Sequence, residues 1–178
     1  MSERITRAVI RQAQPADAAA IARVEVDSWR AAYLGLVPAA DLNTLSTQAR
    51  EASWRRILSH GAATGTRAWT LSAEGAVLGF ASAGPTRDED DDPCNVGELY
   101  TIYLLPAAWG RGLGAALLDT AQADIARRRH GTMTIWVLEG NTRARRFYEL
   151  SGFTADGARR RARVGAGSLP EVRYRRAL

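Results

Sequence analysis

Three glycines, Gly110, Gly112 and Gly114, stand between a strand-like apolar run and a helix-like run of alanine and leucine. Trp109 to Leu118 reads W-G-R-G-L-G-A-A-L-L and follows the run Leu99 to Leu105 and then Pro106. Glycine has no Cβ, so the backbone can come close to a ligand at these positions. A helix opening here presents unpaired N–H groups and the positive end of its dipole. The expected occupant is a cofactor carrying a diphosphate. Glu98 is the one carboxylate inside the strand-like run 96–105 and is a candidate for moving a proton.

The type of diphosphate cofactor follows from what surrounds the loop. Gly110, Gly112 and Ala115 fit a dinucleotide fingerprint, G-x-G-x-x-A, and Glu139 lies 24 residues past Ala115. Two features oppose that reading. Pro106 to Trp109 separate the glycines from their strand, and about 110 residues precede the loop, whereas such a fingerprint opens its domain and follows its strand directly. The lysine of a nucleotide-triphosphate loop is also missing, because all 24 basic residues are arginine.

The charge is uneven. Residues 1–110 hold 10 arginines and 13 acids, and residues 111–178 hold 14 arginines and 6 acids. The basic half begins at the glycine loop, where it would attract a polyanionic cofactor, although nucleic acid would be attracted too. At 178 residues with 46% hydrophobic content, one domain spanning 1–178 is expected. Arg4, Arg7 and Arg11 lead into no long apolar stretch, so neither a signal peptide nor a membrane span is expected, and the cytoplasm is the simplest location. The single cysteine, Cys94, rules out an internal disulfide, and His60 and His130 have no metal-ligand spacing, so no metal is expected.

The elements that would carry these residues can be read from pattern. Ala8 to Gln12 reads as a strand, and Pro15 opens a helix with Ala16, Ala20, Ile21 and Val24 as its apolar stripe. Ser28 to Pro38 continues or follows that helix. A helix is predicted from about Thr47 to Ser59, with Ala52, Ile57 and Leu58 apolar. Ala68 to Leu71 and Ala76 to Ala83 form a hairpin about Glu74-Gly75, and Thr86 to Pro93 is an acidic loop. Then come a strand (96–105), a helix (112–129), a strand (132–138) and a short helix (141–150) ended by Gly152. Phe153 to Ala158 and Glu171 to Ala177 close the chain as strands, with Arg159, Arg160, Arg161 and Arg163 in the loop between them. Antiparallel strands come first and a strand–helix–strand–helix unit second, which is an α/β or α+β domain around one sheet.

A second motif chooses between the cofactors. Asn141 to Phe153 reads N-T-R-A-R-R-F-Y-E-L-S-G-F. Taken with L-Y-T-I-Y-L-L-P-A-A-W-G-R-G-L-G, it resembles the GNAT superfamily of acyl-CoA-dependent N-acyltransferases. That family's loop reads Gln/Arg-x-x-Gly-x-Gly/Ala. Gly112 and Gly114 match it, and Trp109 stands where the leading Gln/Arg would be. The family's Asn-x-x-Ala-x-x-Phe-Tyr helix is matched by Asn141, Ala144, Phe147 and Tyr148, 27 residues beyond Gly114. The resemblance covers roughly residues 5–178 in element order, and its specific motifs lie in 98–153.

The resemblance implies a GNAT-like fold: a central, mostly antiparallel sheet with one splayed parallel strand pair, flanked by helices. It implies acetyl-CoA as acyl donor, with the pantetheine arm in the splay against backbone near Ile102, Tyr103 and Leu104. Trp109, Gly110, Arg111, Gly112, Leu113, Gly114 and Ala115 would face the phosphates, with Asn141, Ala144 and Phe147 completing the cofactor site. A strand N–H would hold the thioester oxygen as charge develops. Glu98 would be the base; period-2 alternation places it on one face with Tyr100, Ile102 and Leu104. Tyr148 would protonate the departing thiolate, although it also reads as a core aromatic beside Phe147. Trp29 and Tyr33, spaced i, i+4 within W-R-x-A-Y-x-G, lie near the acceptor pocket in related sequences, or serve the core.

Other features divide between function and bulk. The run 88–92, all acidic, could attract a cationic amine but reads first as a solvated loop, while Arg159 to Arg163 would favour an anionic acceptor. Cys94 has no histidine neighbour in sequence. The resulting expectation is an N-acetyltransferase acting on an amine acceptor by direct attack. Its rivals are a non-catalytic acyl-CoA-binding module and, with Arg127 to Arg129 as its suggestion, an arginine-rich nucleic-acid binder. Self-association as a homodimer stays open, and the acceptor ranges over small amines, antibiotics, polyamines, peptide N-termini and protein lysines.

Overall fold

A computed structural model describes residues 8–165 and 167–178. Arg4 and Arg7 lie outside the described residues. One seven-stranded sheet organises the chain: β1 (Ala8–Gln12), β2 (Arg67–Ala73), β3 (Ala76–Pro85), β4 (Val96–Leu104), β5 (Thr132–Leu138), β6 (Thr154–Val164) and β7 (Gly167–Ala177). The spatial order is β1-β2-β3-β4-β5-β7-β6. Every neighbouring pair is antiparallel except β4 and β5. Helices α1 (Ala18–Ala32), α2 (Ala39–Asn43) and α3 (Thr47–Thr64) cover one face, and α4 (Leu113–Arg127) and α5 (Thr142–Leu150) the other.

Each element follows from local chemistry. Glu74 and Gly75, at φ of 51° and 78°, make the tight left-handed turn of the β2–β3 hairpin. The Ser46 hydroxyl caps α3, accepting from the Ala49 N–H at 3.2 Å. The core beneath α4 gathers Leu71, Leu99, Leu117, Leu118, Ile125, Met133 and Phe153, and the core beneath α1 and α3 gathers Ile21, Val24, Trp54 and Phe80.

Several expectations need correction. Pro15 to Asp17 forms a 3-10 turn that leads into α1, which leaves Ala16 exposed; Ala18, Ile21, Ala22 and Val24 make the buried stripe. Helix α3 runs on to Thr64, past Gly61, and buries Trp54, while Ala52 and Ile57 face solvent. A Cβ at Gly61 would lie 2.6 Å from the Thr66 carbonyl oxygen, so close chain approach explains this mid-helix glycine. The five-residue α2 has no sequence signal of its own. The arginine run 159–163 is not loop: it belongs to β6, an edge strand paired with β7 throughout that stretch. Alternation lets Arg159 bond Glu139 at 2.6 Å, Arg160 bond Glu171 at 2.7 Å and Arg161 bond Ser168 at 2.8 Å. A charged edge of this kind also discourages pairing with foreign strands.

The acidic loop is not simply solvated either. Asp88, Asp90 and Asp91 converge on Arg173 at 3.1, 2.8 and 3.3 Å, and Asp91 and Asp156 also bind Arg175. Asp156 bonds Arg173 Nε at 2.7 Å. These carboxylates surround a buried guanidinium, and its hydrogen bonds to them, led by Asp90, hold it firmly charged.

Candidate active site

Strands β4 and β5 pair only at Val96–Thr132, Gly97–Met133 and Glu98–Thr134. Beyond Glu98 they part, and the gap opens a cleft of about 350 Å³ through the sheet. Ser28, Trp29, Ala32 and Tyr33 of α1 line one side, and Gly114, Ala144, Phe147 and Tyr148 of α4 and α5 line the other. Unpaired β4 backbone in such a gap offers a ligand the edge of an added strand.

A β-bulge sets the faces of β4. Thr101 pairs with Ser82 and Leu99 with Ala83, so Tyr100 is the extra residue. Leu99, Ile102 and Leu104 therefore share the α4 face, packed with Leu117 and Leu118. Glu98, Thr101 and Tyr103 point toward α1 and α3. This corrects the simple alternation that grouped Glu98 with Ile102 and Leu104. The Tyr103 phenol lies 3.4 Å from that of Tyr33, and burial raises it well above the usual tyrosine range. Trp29 meets Tyr33 edge-on with centroids 4.8 Å apart, so this pair both packs and lines the cleft.

The Glu98 side chain is 1% exposed and lines the cleft. Oε2 accepts from the Arg87 N–H at 2.9 Å and from Arg87 Nε at 3.1 Å, and Oε1 accepts from an Arg87 terminal nitrogen at 2.5 Å. Such a fork is strong and directional. Burial opposes the charge on Arg87, but Glu98 outweighs it and holds the guanidinium above its ordinary value. Arg87 also lies over the Tyr100 ring at 4.0 Å, and the Tyr100 hydroxyl donates to the Pro85 carbonyl at 2.6 Å.

The glycine loop has the shape its sequence demands. Gly110 and Gly112 adopt φ of 69° and 74°, and a Cβ at either would meet nothing within 4 Å. The space above the loop is open, and Gly112 at the N-cap of α4 leaves the first-turn amides of Leu113, Gly114 and Ala115 without a side-chain cap. Arg111 and Ala115 are exposed there, while Leu113 packs inward. Trp109 folds back, and its Nε1 donates to the Leu104 carbonyl at 2.8 Å, using an acceptor at the end of the splayed strand.

Across the gap, Asn141 caps α5, its Oδ1 accepting from the Ala144 N–H at 3.1 Å. Phe147 lies 3.5 Å from where a Gly114 Cβ would be, so the third glycine admits the α5 aromatic. Tyr148 is 5% exposed and packs against Phe147 and Phe153, and burial raises its phenol above the ordinary tyrosine value. It therefore keeps its proton.

Sequence reasoning missed Arg87 and Arg143 in the cleft wall, and it put Arg160 and Arg163, which also line the cleft, in a loop. Arg87 stands one residue before the acidic run and Arg143 inside the Asn-x-x-Ala motif, and neither has a local signal. Arg160 stacks on Trp136 at 4.2 Å. Much of the arginine that suggested nucleic acid is engaged within the protein: Arg127 and Arg128 reach Asp124 at 3.5 and 2.7 Å, and Arg159, Arg160 and Arg161 make the β6 contacts above. Among the described residues, no helix is long and apolar enough to cross a membrane.

Comparison with known proteins agrees with this geometry. The model for the acetyltransferase (GNAT) family matches residues 20–153. The uncharacterized N-acetyltransferase YuaI of Bacillus subtilis (strain 168) is 36% identical over 132 residues, 74% of this chain and 72% of its own length. A mycothiol acetyltransferase of Geodermatophilus obscurus is 43% identical over 77 residues, 42% of this chain but only 25% of that protein. PaiA N-acetyltransferase of Thermoplasma acidophilum, solved with coenzyme A, superposes with TM-score 0.77 at 17% identity, over 94% of this chain and 98% of its own. The yncA protein of Salmonella typhimurium, solved with its cofactor acetyl-CoA, gives TM-score 0.71 at 24% identity, over 97% of this chain and 94% of its own. The glycine loop, the Asn141–Tyr148 helix and the splayed strand pair thus occur together in an N-acetyltransferase, and the chain belongs to the GNAT family.

Proposed function

We propose that the protein transfers an acetyl group from acetyl-CoA to a primary amine. The observation that carries this reading is the cleft between β4 and β5, with open glycine amides at one end and Glu98 and Tyr148 on its walls. The pantetheine arm would lie along the unpaired edge of β4, its diphosphate on the amides of Gly110 to Ala115, with Asn141, Ala144 and Phe147 opposite. The acceptor would approach from the α1 side, past Trp29 and Tyr33.

An alkyl ammonium has a pKa near ~10.4, so a proton must leave before attack. Glu98 takes it, directly or through an intervening water, because Arg87 already occupies both of its oxygens. The neutral amine adds to the thioester carbon, and a β4 N–H near Ile102 to Leu104 holds the tetrahedral oxyanion. The C–S bond then breaks as Tyr148 gives its proton to the sulfur, and the second proton of the acceptor nitrogen, lost as the neutral amide forms, returns through water to the tyrosinate. Burial makes this phenol a weaker acid, but the same dry wall makes a thiolate formed against it a stronger base. Alignment of the two substrates supplies much of the acceleration.

The test is a panel of amines, from small amines to peptides, scored by thiol release from acetyl-CoA, together with calorimetry of acetyl-CoA against NADH. Saturable release with at least one amine, and binding of acetyl-CoA in preference to NADH, is expected. Tighter binding of NADH overturns the cofactor. Binding without turnover on any amine points instead to a non-catalytic acyl-CoA module.

A further inference from the structure

We propose that Arg143, laid flat on the Trp109 indole, supplies the side-chain cation for the diphosphate of the acyl donor; this rests on the acetyl-CoA reading. Trp109 ends the short turn Pro106–Ala108 and immediately precedes Gly110. Its ring is fixed by the bond from Nε1 to the Leu104 carbonyl at 2.8 Å. The second residue of α5, Arg143, crosses the cleft and sets its guanidinium carbon 3.4 Å from the centroid of that ring. A planar guanidinium stacks well on an indole and keeps its edge donors free for an oxyanion. Arg143, Trp109, Gly110 and Gly114 line the same cleft, so a cation on Trp109 shares that cleft with the start of the glycine loop.

Charge balance separates Arg143 from Arg87 and Arg160, and its stack on Trp109 separates it from Arg163 of β6, which also lines the cleft. Arg87 is held by Glu98 at 2.5 Å and Arg160 by Glu171 at 2.7 Å. Among the described residues, no carboxylate pairs with Arg143 in this way. Burial works against its charge, and only the Tyr33 phenol favours it. A partly desolvated cation is thus held next to uncapped helix amides and two open left-handed glycines. An anion placed there relieves the cation and the amides together. The diphosphate is the group the glycine cradle suits, whereas the 3′-phosphate of CoA projects from the ribose beyond it.

The experiment measures binding of three ligands to the wild type and to Arg143→Ala: CoA, 3′-dephospho-CoA and pantetheine. Calorimetry serves the first two, and an NMR titration into the millimolar range serves the third. Arg143→Ala is expected to weaken CoA and dephospho-CoA alike by about 10- to 100-fold and to leave pantetheine unchanged. Arg143→Lys keeps the charge without the planar stack and recovers part of the loss. Trp109→Leu removes the platform and shows a smaller loss with the same ligand dependence. Equal loss for all three ligands, loss confined to CoA, or no loss overturns the assignment. A wild type that binds no CoA overturns the acetyl-CoA reading itself, so the two failures are distinguishable.

Discussion

Glu98→Gln tests the chemistry and the architecture together. The carboxylate receives three bonds from Arg87, at 2.9, 3.1 and 2.5 Å. Glutamine keeps one oxygen and replaces the other with an NH2 group, which sets a donor against a donor of Arg87. Breaking a fully buried pair costs ~3–5 kcal/mol. Here the Arg87 side chain is 58% exposed and can turn to water, so the expected cost falls to about 1–3 kcal/mol. For a chain of this size that lowers Tm by roughly 2–12 °C, and the fold survives. The catalytic effect is larger. A positioned base contributes about 10²- to 10⁴-fold, so kcat/KM should fall about 100-fold or more, which is ~2.7 kcal/mol of barrier. The assay is thiol release with the best amine of the panel, alongside calorimetry of acetyl-CoA, whose affinity should stay near wild type. A folded Glu98→Gln protein whose kcat/KM lies within threefold of wild type would refute the argument; Glu98 would then be only the counter-ion of Arg87.

Three shorter predictions follow from other sites. Tyr148→Phe should lower kcat with little change in acetyl-CoA affinity, because the ring still packs on Phe147 and Phe153; an unchanged single-turnover rate removes Tyr148 from the chemistry. Gly112→Glu should abolish acetyl-CoA binding in calorimetry, since φ of 74° disfavours any side chain and the new carboxylate would enter the open cradle. Burial, then Arg128, holds the His130 imidazole below its ordinary 6.5 despite Asp124. As pH falls through 6.5 the unfolded chain takes up the proton first, so stability is full above that value and declines below it. His130→Gln should flatten Tm between about pH 5 and 6.5, and an undiminished slope in that variant would show that other groups set it.

The parts of the site legible in sequence were those built from one segment. The glycine loop needs only its own φ angles, Asn141 caps its own helix, and β5 is a short run, mostly apolar and buried, that reads as a strand by itself. What escaped depends on partners far along the chain. Arg87 meets Glu98 because β3 and β4 lie side by side, and Arg143 finds Trp109 only once α5 has crossed the gap. The 88–92 run looked like a solvated loop because Arg173, 85 residues beyond Asp88, is invisible to local pattern. The arginine run of β6 reads as loop for the same reason: Arg159, Arg160 and Arg161 each meet a residue on another segment. Helix α3 was cut short at Ser59 because a glycine inside a helix costs about 1 kcal/mol, a penalty accepted here for close approach to Thr66.

The extra residue in β4 has a further consequence for how this chain tolerates change in length. Tyr100 acts as a frame-setter for the strand. Its deletion alone would restore strict alternation and leave Ile102 and Leu104 on the α4 face with Leu99, whereas losing one residue more would turn every later side chain over, sending Ile102 and Leu104 toward α1 and Tyr103 into the α4 core. Adding or losing one residue in the exposed 92–95 stretch, past the carboxylates that hold Arg173, shifts no such frame, because that segment ends before the strand begins. Loss of a single residue is therefore affordable ahead of the strand and at its bulge, and ruinous between the bulge and Leu104.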